Sequence, residues 1–343
     1  MTTLTPVPLE ERCEWRTGEV GDSYIFHLGD DHVAELDAAL VHAESRVDDV
    51  LDITRDLFPL PTLGPQLVGL ARELIDGRGM VLIRGVPVER YSKDRASAVY
   101  WGVGMHLGQP WPQNAKGHLL GDVTDQGKAI DDPTSRGNEL GGIALPFHSD
   151  GSDLVGLFCL DAGAGGGDSL VANAVTIHND LVRDDPEVAA LLYEPFPYDL
   201  RGEQAPGSRA WYTMPVFSRV GERLFVRYIR PYIEASRRHE DAPRPSPEAR
   251  AALDRLDAMC RDPQYTVAMG MQPGDMQFVN NYHVLHGRDA YTDDRAAGRI
   301  RHLKRLWLET DVLADEDKPE RFRLGRTDSY WSSKGRTKSE LNV

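Results

Sequence analysis

The sequence predicts a mainly β domain that is flanked and interrupted by helices, and three observations support this. From residue 118 onward, short apolar runs are separated by Gly, Asp and Asn, which is typical of an all-β core. Ahead of that point, apolar residues recur at helical spacing. The chain of 343 residues has 41% hydrophobic and 27% charged residues, which are ordinary values for a globular protein with a sizeable core.

The N-terminal part is predicted to hold helices around a buried strand. In chain order we expect an amphipathic helix near Leu36, Leu40 and Val47, a helix ending at Gly77, a strand within residues 79–88 and a helix from Ser92 to about Leu107. Ser92 is the N-cap of the last of these, because its hydroxyl can accept a backbone N–H.

The remaining chain is predicted to carry strands with helical insertions. Candidate strands are 119–123, 142–148, 155–160, 169–172, 211–219, 223–229, 264–269, 276–279, 283–287 and 300–309. Insertions are expected to begin at Thr176, at Asp185-Pro186 and at Ser246-Pro247. We therefore expect an N-terminal extension over residues 1–74, a core domain over 75–312 and a polar C-terminal tail over 313–343.

The charge and the cysteines restrict the partners and the compartment. A net charge of −15 argues against nucleic acid and anionic lipid as partners and favours a small molecule. No apolar run is long enough for a signal peptide or a membrane span. Three widely separated cysteines are typical of reduced thiols, so we expect a cytoplasmic protein. The sequence leaves a homo-oligomer open.

Residues 144–153, "ALPFHSDGSD", carry the first candidate ligands for a metal. His148 and Asp150 are two apart, so on an extended segment their side chains point to the same side. An imidazole and a carboxylate in that position are two thirds of a metal site. The alternative is a loop histidine beside a solvated aspartate.

A third ligand is expected in residues 280–291, "NNYHVLHGRDAY". His283 and His286 are three apart and face opposite sides of a strand, so at most one of them can join the first two ligands. Spacing alone does not choose between them.

Residues 298–309, "GRIRHLKRLWLE", place two arginines on one predicted strand face. Arg301 and Arg305 share this face with Leu303 and Trp307 by period 2, which suggests guanidinium groups in a half-buried cavity. A guanidinium there would bind a carboxylate in bidentate fashion, whereas the alternative is a pair of surface salt bridges. Two histidines and one carboxylate form the facial set of non-haem Fe(II) oxygenases, and an arginine would suit a chelating 2-oxo acid.

The order HxD, distant H and R-x-x-x-R resembles the Fe(II)/2-oxoglutarate dioxygenases of the taurine dioxygenase (TauD/TfdA), clavaminate synthase-like family. "FHSD", "VLHGR" and "RHLKR" carry the resemblance, and "GMVLIRGV" and "GGGDSL" are similar to further stretches of the family. It covers roughly residues 75–310. The resemblance implies a double-stranded β-helix core (a cupin-like jelly roll), and the use of Fe(II), 2-oxoglutarate and O₂.

The same resemblance implies roles for single residues. His286 would be the third iron ligand beside His148 and Asp150. Arg301 would bind the distal carboxylate of 2-oxoglutarate with help from Ser169, and Arg305 would reach the co-substrate or an anionic group of the substrate. In related halogenases a small residue replaces the carboxylate ligand, so the presence of Asp150 favours hydroxylation of an unactivated C–H bond, with release of succinate and CO₂.

The substrate is less well defined by the sequence. Asn114 lies in a loop that resembles the substrate-facing segment of the family. On the predicted strand 223–229 and just beyond it, Arg230 shares a face with Tyr228, while Arg227 is on the other face. One of these arginines could join Arg305 to bind an anionic substrate, and a surface salt bridge is an equally good alternative. Arg305 and Arg230 suggest an anionic or amino-acid-derived metabolite, while a neutral natural-product intermediate stays equally open.

Two other functions remain open from the residues alone. A metal-binding cupin-like protein without oxygenase activity, or a zinc-dependent hydrolase, would use similar ligands. Arg301 discriminates between them and the oxygenase, because a bare metal site has no need of this cation.

Overall fold

The computed structural model describes residues 5–114, 116–128, 137–204, 207–320 and 322. The α-helices of this part are α1 (Thr17–Val20), α2 (Asp30–Glu44), α3 (Leu63–Asp76), α4 (Lys93–Gly104), α5 (Ala174–Asp184), α6 (Pro186–Leu192), α7 (Arg230–Ala235) and α8 (Pro247–Arg261). The strands are β1 (Ile25–His27), β2 (Met80–Arg84), β3 (Gln109–Pro110), β4 (Leu120–Val123), β5 (Leu145–His148), β6 (Leu154–Asp161), β7 (Gly165–Gly166), β8 (Ser169–Asn173), β9 (Pro195–Asp199), β10 (Trp211–Pro215), β11 (Phe217–Val220), β12 (Arg223–Val226), β13 (Thr266–Met269), β14 (Met276–Asn280), β15 (Val284–Arg288), β16 (Tyr291–Thr292) and β17 (His302–Glu309).

Two sheets form the centre of the molecule. The larger sheet has the order β1-β2-β14-β6-β17-β3, with β4 also paired to β17, and the smaller sheet has the order β13-β8-β15-β5. Shorter two-stranded ribbons join β9 to β10, β11 to β12 and β7 to β16. The prediction of a sheet-rich domain that carries helices is confirmed.

Helices pack on the larger sheet and bury its apolar side chains. α3 contacts β2 and β14, while α4 contacts β6 and β17. Leu67 and Leu74 of α3 are fully buried, as their helical spacing predicts. The Tyr100 ring of α4 stacks on Phe158 of β6 with 5.2 Å between the ring centroids. This packing fixes the strands that carry the site described below.

Helix starts follow the predicted caps, with one shift. Ser92, Asp185 and Ser246 each accept a backbone N–H at the start of a helix. The helix expected from Thr176 instead begins at Ala174, because the Asn173 side chain accepts the backbone N–H groups of the next turn.

Two predicted strands differ from the structure. The run 211–219 is divided at Val216 into β10 and β11, which pair with different partners. The run 223–229 ends at Val226, and helix α7 begins at Arg230 with Pro231 in its first turn. Proline is favoured there because its fixed φ suits a helix and its missing N–H is not needed.

The chain beyond β17 is anchored to the body. Lys318 is fully buried, and its Nζ lies 3.0 Å from Oδ2 of Asp153. The Oδ1 atom of Asp153 accepts the hydroxyl of Tyr282 at 2.7 Å. Most of the expected tail, residues 323–343, lies outside the described residues.

Within the described residues, no helix is long and apolar enough to cross a membrane.

Candidate active site

His148 and His286 lie on neighbouring strands of the smaller sheet. The two residues are directly paired in the ladder between β5 and β15, and their ring centroids are 4.3 Å apart. The Nδ1 atom of His148 is 2.8 Å from the carbonyl oxygen of Pro146. If Nδ1 donates this bond, Nε2 keeps its lone pair for a metal ion.

Asp150 completes a compact set of three ligand atoms. Its Oδ1 is 4.0 Å from Nε2 of His148, and its Oδ2 is 3.8 Å from Nε2 of His286. All three ligand atoms lie within 4.8 Å of one another. The structure therefore brings together the residues that the HxD…H order predicts.

Side chains from distant parts of the chain fix the position of Asp150. The side-chain oxygen of Asn281 accepts the backbone N–H of Asp150 at 2.9 Å, and its amide donates to the carbonyl of Ser152 at 2.9 Å. The indole N–H of Trp307 donates to Oδ2 of Asp150 at 3.0 Å. Such outer contacts orient a ligand and reduce its freedom to turn away.

The protonation states suit a metal ion. Burial and the neighbouring imidazole of His286 lower the pKa of His148 to about 4, so this ring is neutral at neutral pH. Burial acts to raise the pKa of Asp150, but His286 and the positive charge of Arg305 hold it well below its ordinary value. Imidazoles with an ionised carboxylate on one face of an ion are the donor set of non-haem Fe(II), so these residues fit iron.

The three side chains line a cavity of about 410 Å³ between the two sheets. One wall comes from β5 and β15, and the other includes Val155 and Leu157 of β6 and Trp307 of β17. Much of the lining is apolar, which is typical of small-molecule sites. Among the described residues, the cavity-lining arginines are Arg201, Arg227, Arg288, Arg301 and Arg305.

Arg301 and Arg288 form a pair of buried cations. The Arg301 guanidinium lies 5.1 Å from the ring centroid of Tyr291, and that of Arg288 lies 4.7 Å from the same centroid. Within the described part of the chain neither forms an ion pair with a carboxylate; Arg301 donates to the carbonyl of Gly167 and Arg288 to that of Ile143. Burial, together with the charge of Arg301, lowers the pKa of Arg288 to about 10, and burial also lowers that of Arg301. Two buried cations that form no ion pair with a carboxylate of the described residues suit an anionic ligand.

A glycine makes room for Arg301. Gly167 has a φ of +80°, and a Cβ on it would lie 2.8 Å from Nε of Arg301. The "GGGDSL" stretch thus lets the guanidinium approach the backbone, which a side chain at position 167 would prevent.

Ser169 and Arg305 also face the cavity. Ser169 pairs directly with Arg288 across β8 and β15, and its hydroxyl donates to Oε1 of Gln277 at 2.8 Å. The Nε of Arg305 donates to Oε1 of Gln113 at 2.7 Å, while Nη1 lies 3.8 Å from Oδ2 of Asp150. Arg305 therefore stands next to the candidate metal ligands.

The structure places Asn114 and Arg230 away from the cavity lining. The Asn114 side chain accepts backbone N–H groups of its own loop and contacts the ring of His118. The guanidinium of Arg230 pairs with the carboxylates of Glu234, Asp254 and Asp257. The reason is that Arg230 opens helix α7 and does not continue a strand.

Sequence reasoning missed Arg288, and it missed the contacts by which Asn281 supports Asp150 and Gln113 supports Arg305. Arg288 is two residues after His286 on one strand, so period 2 could have predicted that both face the cavity. Asn281 and Gln113 act through partners 131 and 192 positions away, and no local pattern indicates them.

His283 takes no part in this site. Its Nε2 lies 3.2 Å from Oε1 of Glu10, on a side of the segment that is buried among other residues. The prediction that His283 and His286 face opposite ways is confirmed by these contacts.

A model of the family described as "Taurine catabolism dioxygenase TauD, TfdA family" matches residues 48–307. The FR-33289 synthase of Streptomyces rubellomurinus is 31% identical over 323 residues, which are 91% of this chain and 93% of the synthase.

Solved structures share the fold. Asparagine oxygenase in complex with Fe(II), 2S,3S-3-hydroxyasparagine and succinate has a TM-score of 0.66 at 20% identity, covering 90% of this chain and 98% of that one. The non-haem iron oxygenase OrfP in complex with Fe and alpha-ketoglutaric acid has a TM-score of 0.64 at 18% identity, covering 84% and 94%.

Proposed function

The chain belongs to the TauD/TfdA family of dioxygenases, and from this premise we propose how the residues of its cavity divide the work. The protein is an Fe(II)- and 2-oxoglutarate-dependent dioxygenase that hydroxylates a small molecule, as the order of its motifs predicts. Family membership thus decides against the cupin-like binding protein and the zinc-dependent hydrolase.

In this proposal His148, Asp150 and His286 hold Fe(II). The observation that carries it is that these ligands share one cavity with Arg288 and Arg301, two buried cations without an acidic partner among the described residues. A metal site alone would leave their desolvation uncompensated. A chelating 2-oxo acid with a distal carboxylate would compensate it.

Arg301 and Arg288 bind the distal carboxylate of 2-oxoglutarate, and Ser169 adds a hydroxyl beside them. Arg305 reaches the chelating end of the co-substrate or an anionic group of the substrate, since it lies next to Asp150. When bound, Fe(II) with 2-oxoglutarate and O₂ supplies the chemistry that oxidises an unactivated C–H bond and releases succinate and CO₂.

The chain's own residues orient the reactants and exclude water. Asn281 holds the backbone of Asp150, Trp307 holds its carboxylate, and the carbonyl of Pro146 fixes the tautomer of His148. Val155 and Leu157 form an apolar wall, so a substrate seated in the cavity displaces water from beside the ligands. The substrate is an anionic or amino-acid-derived metabolite in this proposal.

We further propose that the two sheets form a double-stranded β-helix, or jelly roll, because the candidate ligands and their facing wall come from opposite sheets. Residues 75–312 would be the dioxygenase domain, with residues 1–74 packed on it through β1 and residues 313–343 as the tail. A cytoplasmic location is supported by the three cysteines, which are all buried and unpaired.

An anaerobic titration tests the assignment of Arg301. Metal-free protein is loaded with Fe(II) and then titrated with 2-oxoglutarate, following the visible charge-transfer band of the chelate. Arg301→Ala should raise the apparent Kd of 2-oxoglutarate by about 30-fold or more, because a buried charge-assisted pair is lost.

Arg299→Ala is the matched control. This arginine lies two residues away, but its side chain is 57% exposed and pairs with Asp294. Its variant should titrate like the wild type. An equal loss in both variants, or no chelate band in the iron-loaded wild type, would contradict the proposal.

A further inference from the structure

Arg227 lines the cavity, and the proposed binding of iron and 2-oxoglutarate makes no use of its positive charge. It follows strand β12 and lines the same cavity as the candidate metal ligands. Arg288 and Arg301 serve the distal end of the co-substrate in our proposal, and Arg305 stands next to the candidate metal ligands, with its Nε bonded to Gln113.

Among the described residues, the guanidinium of Arg227 donates hydrogen bonds to neutral oxygens. Its Nε and Nη2 donate to the hydroxyl oxygen of Tyr212 at 3.4 and 3.3 Å, and its Nη1 donates to the carbonyl of Ser149 at 3.2 Å. These are long bonds, and they leave other N–H donors of the guanidinium unused. Within the described residues Arg227 forms no ion pair with a carboxylate.

Cavity-lining acids are already engaged. Asp150 is a candidate metal ligand, and Glu203 has an interaction of its own. Asp199 is fully buried and accepts the guanidinium of Arg238 at 2.6 and 2.9 Å. The described lining therefore offers a substrate a cation at Arg227 but no spare carboxylate for an ammonium group.

The position of Arg227 ties this cation to the metal ligands. Ser149, whose carbonyl it binds, stands between His148 and Asp150 in the chain. Tyr212, its other partner, also lines the cavity. A group bound by Arg227 and Tyr212 would thus be held beside the candidate iron site, with the rest of the molecule in the cavity.

We infer that Arg227 and Tyr212 form an anion subsite, separate from that of 2-oxoglutarate, which binds an oxyanion of the substrate. The substrate class is a small carboxylate, sulfonate or phosphonate that needs no charged ammonium group. This inference rests on the proposed function and narrows it, since an α-amino acid would bring an unpaired ammonium into the cavity.

The test uses the iron- and 2-oxoglutarate-loaded protein under anaerobic conditions. Five probes of similar length are titrated in, namely pentanoate, pentane-1-sulfonate, pentylphosphonate, the neutral pentanamide and L-norvaline, and the change in the chelate band gives each Kd. At least one of the three simple anions should bind tenfold or more tightly than both pentanamide and L-norvaline. Which anion binds best identifies the head group.

Variants assign the effect to Arg227. Arg227→Gln should weaken the preferred anion by about 10- to 100-fold, as expected for lost charge-assisted hydrogen bonds, with little change for pentanamide. Arg227→Lys should restore part of the affinity. Arg230→Gln, three residues along the chain and outside the cavity lining, is the matched control and should bind the anion as the wild type does.

The possible failures are distinguishable. A missing chelate band in the wild type would contradict the proposed function. A normal band with equal affinity for anionic and neutral probes, or tightest binding of L-norvaline, would overturn the anion subsite alone. Loss of the chelate band in Arg227→Gln would also overturn it, because Arg227 would then only support the loop of the metal ligands.

Discussion

Two clusters of potential metal ligands occur among the described residues, and each contains one of two histidines, His283 and His286, that are only three residues apart. His286 joins His148 and Asp150, while His283 joins Glu10 and Cys13. Both sets place their ligand atoms within 4.8 Å of one another. The spacing of the ligand atoms alone therefore does not distinguish a reactive site from a structural one.

The difference lies in what else each cluster contacts. In the second set Glu10 is already bonded on both oxygens, since Oε1 accepts the backbone N–H of Leu224 at 2.6 Å and Oε2 is 3.3 Å from Sγ of Cys13. Glu10, Cys13 and His283 are all buried and lie outside the cavity lining. The first set opens into a cavity with several arginines. The first set therefore faces a space that can admit a ligand, whereas the Glu10 carboxylate of the second set is already bonded within the protein.

The largest effect should separate the two histidines. His286→Ala should abolish binding of Fe(II) and turnover of 2-oxoglutarate, because it removes a ligand. His283→Ala should retain one Fe(II) per chain and the chelate band. Metal analysis after anaerobic loading, together with succinate release, measures both. Iron loss in His283→Ala, with the protein still folded by circular dichroism, would contradict the assignment of His283 to a structural cluster.

Stability should show the opposite pattern. Glu10→Ala removes the partners of Leu224 N–H and His283 in a buried setting, so the free energy of unfolding should fall by about 2–5 kcal/mol. Asp150→Ala should cost far less, because its site is arranged for binding and not for stability. Urea unfolding of the metal-free variants provides the comparison, and equal losses would contradict it.

The smallest expected effect is a pH dependence of the unfolding free energy that comes from the cluster of Glu10, Cys13 and His283. Burial acts to raise the pKa of Glu10, but the hydrogen bond and charge of His283 hold it below its ordinary value of 4.5. A depressed folded-state pKa adds stability above the unfolded value, and this stability is lost as the pH falls below about 4.5.

Glu10→Gln removes this titration. Its deficit in unfolding free energy against the wild type should therefore be largest near neutral pH and should shrink in acid. Denaturant unfolding at several pH values measures this deficit. A deficit that stays constant with pH would show that the Glu10 charge contributes nothing.

Local periodicity predicted much of the site and long-range contacts account for the rest. Period 2 predicted two pairs of site residues, His148 with Asp150 and Arg301 with Arg305, because each pair lies on one strand or its continuation. The choice of His286 over His283 needed the family resemblance. The structure separates the two residues by contacts with Glu10, which is 273 positions from His283.

The fold shows the same division. Caps such as Ser246 and the buried run of β2 were predicted from a few neighbouring residues. Arg227 could not be placed, because residues 223–229 were predicted as one strand, whereas the strand ends at Val226 and helix α7 begins at Arg230. Which arginine faces the cavity depends on where that strand ends.

The buried contact between Lys318 and Asp153 makes the C-terminal segment part of the catalytic scaffold. Asp153 is three residues after Asp150, and it also accepts the backbone N–H of Thr310 and the hydroxyl of Tyr282. A protease cut or a fusion joint placed before Lys318 would remove the cation that pairs with the buried Asp153 carboxylate. That unpaired charge would lie next to the loop that carries the metal ligands. Shortened versions of this enzyme should therefore end beyond residue 318, even though the last motif of the family resemblance, "RHLKR", ends at residue 305.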